Sequence, residues 1–66
     1  MNWVSLFSSN IDAAAYDNGT LYIRFKHGSV YAYPTASESL FNGLLSAGSK
    51  GSYHAQFIKN LPNYRV

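Results

Sequence analysis

Between Ser46 and Lys59 the chain reads Ser-Ala-Gly-Ser-Lys-Gly-Ser-Tyr-His-Ala-Gln-Phe-Ile-Lys, which sets a lysine among small residues between two apolar-periodic segments. The backbone must turn sharply here and then open a helix whose first N–H groups lack intrahelical partners. Orphan amides, the helix dipole and an ammonium together favour an anion, and glycine lets a ligand approach the main chain. Phosphate or carboxylate is therefore the expected ligand, with Ser49, Lys50, Gly51 and Ser52 as its cradle. A base could stack on Tyr53 or His54, and Arg65 is a further cation for phosphate. The same residues also make a plain helix-loop-helix joint with a capping serine, and their spacing does not separate the two.

Catalysis finds little support. Three carboxylates, two histidines and no cysteine are present, and Asp12, Asp17 and Glu38 each have a structural use in a turn, cap or ion pair. His54 follows Lys50 by four residues, but no acid or nucleophile completes a relay. The expectation is a non-enzymatic binding protein with no cofactor. His27 and His54 are too far apart for a recognised metal spacing, so no metal is expected.

A chain of 66 residues makes one domain, 1–66, burying only about 60% of its unfolded surface. Without disulfides or a metal, homo-oligomerisation is the expected stabiliser. Aromatic residues reach 17% and charged residues only 12%, so several of the rings must lie at the surface, as suits an interface. The net charge of +2 leans toward anionic partners but falls short of the basic density that binds duplex DNA through phosphates. No stretch has the length of a membrane span or the pattern of a secretion signal, and the lack of cysteine agrees with the reducing cytoplasm.

The elements that must position this loop follow from pattern. Trp3, Val4, Leu6 and Phe7 form an apolar leader, either packed at home or swapped onto a neighbour. Ile11 to Tyr16 and Leu21 to Lys26 are strands about Asp17-Asn18-Gly19; a three-residue loop with Gly19 left-handed pairs Ile11 with Phe25 and Ala13 with Ile23. A two-residue loop would instead bring Asp12 onto the face of Phe25, so the longer loop is expected, with Asp12 opposite Arg24 as an ion pair. A two-residue His27-Gly28 turn then pairs Phe25 with Val30 and Ile23 with Ala32.

That register makes Ile11, Ala13, Ala15, Leu21, Ile23, Phe25, Val30 and Ala32 the core floor. Tyr22, Arg24, Lys26, Tyr31 and Tyr33 fall on the other face, where tyrosines and cations either stack bases and contact phosphates or pair with one another. Thr35 to Glu38 reads as a capping box, Leu40, Phe41, Leu44 and Leu45 as a helical stripe, and Gly48 as its stop. Gly43 inside that helix predicts a close backbone contact. Tyr53, Phe57 and Ile58 mark a second helix, and Tyr64 with Val66 alternates like an added edge strand that could bring Arg65 to the Lys50 loop. The fold class is α+β: a small antiparallel β-meander packed on one face by one or two short C-terminal helices.

The order of these residues resembles the KTSC domain, found at the C-terminus of some lysyl-tRNA synthetases and as stand-alone bacterial and phage proteins. The resemblance runs through Ser8-Ser9-Asn10-Ile11, Leu21 to Phe25, Gly28 to Tyr33, Phe41 to Leu45, Ala47 to Tyr53 and Ile58-Lys59. His54 and Ala55 stand where the pattern has an asparagine, so no role of that amide carries over, and Pro62 also departs from it. The synthetase association implies RNA or DNA as partner. Small phage proteins that sequester nucleotide messengers of host immunity are similar in size and assembly, which implies a nucleotide held between subunits. The low basic density favours the nucleotide, and a protein-contacting module remains the third class.

Overall fold

The computed structural model describes residues 1–66. Its five strands, β1 (Val4–Ser5), β2 (Ile11–Asp17), β3 (Thr20–Phe25), β4 (Val30–Tyr33) and β5 (Tyr64–Arg65), form one antiparallel sheet in chain order. Helix α1 (Glu38–Ser46) and the short α2 (Lys50–Tyr53), which runs on into a π-helical turn over His54–Ile58, cover one face. The expected α+β meander with two short helices is what the chain forms. Ile11, Ala14, Leu21, Ile23 and Tyr33 of the sheet meet Leu44 of α1 and Ile58 of the π-helical turn in a single core. No helix is long and apolar enough to cross a membrane.

Both hairpin loops differ from expectation, in opposite directions. Asp17 pairs with Thr20, leaving a two-residue turn in which Asn18 and Gly19 both have positive φ, 50° and 83°; this is the twist that a tight hairpin prefers. Ala14, not Ala13, therefore faces Ile23. The conflict between this short turn and the position of Asp12 is relieved by a β-bulge: Asp12 is the extra residue, so Ile11 still reaches Phe25 while Ala13 pairs with Arg24.

The second turn is longer than His27-Gly28. The Phe25 N–H donates to Ser29 O and the Gly28 N–H to Phe25 O, and Gly28 at φ 105° completes a three-residue loop, Lys26 to Gly28. Ile23 then pairs with Tyr31 and Leu21 with Tyr33. One residue of slip reverses a whole strand. Tyr31 and Tyr33 move to the helix side, and Val30 and Ala32 join Ala13 and Ala15 on the opposite face with Tyr22 and Arg24.

The helix caps shift as well. A turn from Tyr33, closed by the Ala36 N–H on Tyr33 O, buries Ala36, and the cap is Ser37, whose Oγ accepts the Leu40 N–H at 3.1 Å. Thr35 stays outside and Glu38 is the first helical residue, beside the positive end of the dipole. Gly48 does not end α1. Ala47 does so in an extended conformation, with its N–H on Leu44 O.

Gly43 makes the close approach that its place predicts: a Cβ there would fall on the Tyr53 hydroxyl and 2.7 Å from Tyr53 Cζ. The leader packs at home, with Val4 opposite Ala14 and Ser5 opposite Ala13. The tail adds the fifth strand, placing Tyr64 beside Ala32 and Arg65 beside Tyr31.

Candidate functional site

The Ser49 to Ser52 segment is a joint held by its own side chains. Ser49 caps α2, its Oγ accepting the Ser52 N–H at 3.3 Å and donating to Ser52 Oγ at 3.0 Å, while Ser49 O takes the Tyr53 N–H. The Lys50 ammonium points back onto α1, donating to Leu45 O at 2.9 Å and to Ala47 O. It supplies the positive charge that the last turn of α1, with no basic residue of its own, would otherwise lack. Gly51 lies against the preceding loop, where a Cβ would stand 3.2 Å from Asn10 Oδ1. Tyr53 is packed between Gly43 and the Phe57 ring, 4.9 Å away.

Lys50 is thus a cap in this structure, and its replacement is expected to cost stability. Lys50→Met should lower it by about 1–2 kcal/mol, since two carbonyls lose a charged donor, and Lys50→Arg should restore part of that. Urea denaturation of the three proteins measures it.

His54 begins the π-helical turn, which is closed by the Lys59 N–H on His54 O at 2.8 Å. Its ring is buried on the helix side of the sheet, with Nε2 at 3.2 Å from the Tyr33 hydroxyl and the Phe25 ring edge-on at 5.3 Å. Burial, aided by the Lys59 charge, lowers the His54 pKa below 6.5, while burial, aided by Tyr31, raises that of Tyr33. A histidine with a depressed folded pKa takes its proton in the unfolded chain first, so stability falls as pH drops below 6.5. His54→Gln should flatten that decline between pH 7 and pH 5, where the slope per histidine reaches at most about 1.4 kcal/mol per pH unit.

Arg24 lies across the sheet from this group. The bulge aims Asp12 at it, and Arg24 Nε donates to Asp12 Oδ2 at 2.8 Å, the ion pair expected from the pattern. Half exposed, the pair is worth under about 1 kcal/mol. The guanidinium also covers the Trp3 ring, 4.7 Å from its centroid. Arg65 sits on β5, three strand spacings from β2, so it stands on the order of 14 Å from the strand that leads out of the Asn10–Gly51 contact. It does not join Lys50.

The eight residues picked from sequence therefore occupy four places: a capped joint, a buried histidine, one strand edge and the far face of the sheet. That far face is the coherent one. By register, Tyr22 and Arg24 of β3, Ser5 of β1 and Tyr64 of β5 share it with Trp3, above the buried methyls of Ala13, Ala15 and Ala32. In the sequence Trp3 belongs only to an apolar leader and Tyr64 only to an alternating tail, because their face depends on pairing; the signal for that face is the small Ala13, Ala15 and Ala32, which leave room for large neighbours.

The arrangement recurs in known proteins. A crystal structure of a KTSC domain protein from Yersinia pestis superposes with a TM-score of 0.89 at 29% identity, over 98% of this chain and 96% of that one. No curated protein matches. The family model for the KTSC domain matches residues 7–64, which takes in the bulged hairpin, both helices and the Lys50 joint, and so the chain belongs to the KTSC domain family.

Proposed function

We propose that the protein is a non-enzymatic binding module that takes the bases of short single-stranded nucleic acid on its open sheet face. The observation that carries this is Trp3, Tyr22, Tyr64 and Arg24 set over buried alanines on the face without helices. Flat rings on a pleated surface stack bases regardless of sequence, and an arginine among them adds a stacking plane and a phosphate donor. A nucleotide bound at the glycine-lysine joint has less support, because the Lys50 ammonium already serves two carbonyls.

Fluorescence anisotropy with labelled oligonucleotides tests the proposal. Single strands should bind in preference to duplex, equally well in the Lys50→Ala variant. With one engaged arginine on the face, log affinity should fall with log salt at a slope near −1, about that of one or two phosphate contacts. Preference for duplex, or loss of binding in Lys50→Ala, would count against it.

A further inference from the structure

The sheet edge formed by β1 is unusual in having no guard. Residues 1–10 carry no charged side chain and no proline, the devices that usually blunt an exposed strand. The Leu6 N–H donates to Asp12 O and Val4 lies opposite Ala14, so the even residues turn their backbone groups toward β2. Trp3, Ser5 and Phe7 then turn theirs outward. Phe7 is fully exposed, and Met1 and Val4 of the same segment are exposed as well.

The geometry points to a second copy of this chain on that edge, β1 pairing antiparallel with its counterpart about a two-fold axis at Ser5. Trp3 and Phe7 stand two residues either side of Ser5, so the axis sets each Trp3 opposite the other copy's Phe7, on one face of the joined sheets. A peptide of unrelated sequence would fill the same backbone groups, but this mirror placement favours the chain itself. Each aromatic side chain brings roughly 150–250 Å². Two copies of Phe7, Val4 and Met1, with the strand backbones, therefore approach the roughly 1,000 Å² that small specific interfaces need. The dimer is weak and concentration-dependent. Its axis stands perpendicular to the sheet, so both aromatic faces look the same way and form one longer platform, a consequence that rests on the base-stacking proposal; the dimer itself is measured without ligand.

Sedimentation equilibrium of the ligand-free chain from about 10 µM to about 1 mM should show monomer and dimer, with dissociation constants at least about tenfold higher for Phe7→Ser and Ser5→Pro. Phe7 packs on nothing and the Ser5 N–H faces outward, so both variants should fold. The chain has no cysteine, and Ser5 Cα atoms across the axis would be about 5.5 Å apart, within disulfide range. Ser5→Cys should therefore cross-link on oxidation far faster than Asn42→Cys on the exposed side of α1. A monomer at every concentration, a dimer indifferent to Phe7→Ser and Ser5→Pro, or equal cross-linking by the two cysteines would overturn the assignment.

Discussion

Gly43→Ala is expected to remove about half of the domain's stability. The new methyl would occupy the place of the Tyr53 hydroxyl and stand 2.7 Å from Cζ, with Phe57 packed on the Tyr53 ring at 4.9 Å. Overpacking of this kind costs about 3 kcal/mol, against which alanine returns about 1 kcal/mol of helix propensity. A net loss of about 2 kcal/mol is large for a core that supplies only about 3–5 kcal/mol. It should lower the melting temperature by roughly 10 °C. In a Tyr53→Leu background the obstruction is gone, and the same substitution should be neutral or stabilising. Thermal denaturation of the four proteins of this cycle checks it; an equal loss in both backgrounds would mean that Tyr53 is not the obstacle.

The second large effect is on binding. Tyr22 lies in register between Ala15 and Ala32, and Tyr64 lies on the other side of Ala32, so the two rings span the middle and one edge of the open face. If bases stack there, Tyr22→Ala and Tyr64→Ala should each weaken single-strand binding by about 1–3 kcal/mol, or roughly 5- to 150-fold. Tyr22→Phe keeps the ring and should bind nearly as the parent does. Tyr31, on the helix side next to Phe25 and packed against the core, marks the contrast: Tyr31→Ala should lower stability but leave affinity per folded molecule unchanged. Anisotropy titrations, normalised to the folded fraction by circular dichroism, separate these outcomes.

How far the sequence speaks depends on the range of each signal. Strand and helix order, the Asp12–Arg24 pair, the tight approach at Gly43 and the tail strand were all legible, because each follows from local composition or from one cross-strand pairing. Face assignment was legible for β3, with Leu21, Ile23 and Phe25 inward and Tyr22 and Arg24 outward, but not for Ala13 and Ala15 of β2 or for β4. Asn18-Gly19 favoured a short turn, but the resulting clash at Asp12 argued for a longer one, and the chain keeps the short turn by inserting a bulge. At His27-Gly28 the loop is one residue longer than the two-residue form, and that single residue carried Tyr31 and Tyr33 to the helix side.

The residues of the candidate site are dispersed in the structure for a related reason. The glycine-lysine loop has the composition of an anion cradle, but lysine's length lets its ammonium fold back onto the carbonyls of the helix before it, a partner that composition does not reveal. His54 likewise looked like a stacking ring, and it is buried against Tyr33, whose face was itself reversed. The open face was harder to read because its aromatic side chains come from β3, β5 and the residue before β1, three distant parts of the chain.

The most direct measurement uses Trp3, the only tryptophan, which lies under Arg24 on that face. Its fluorescence should be quenched as a short single-stranded oligonucleotide is added, with the same midpoint as the anisotropy change. Binding seen by anisotropy with no change in Trp3 emission, or no binding at all, would contradict the central claim that the open sheet face is where this KTSC domain meets its ligand.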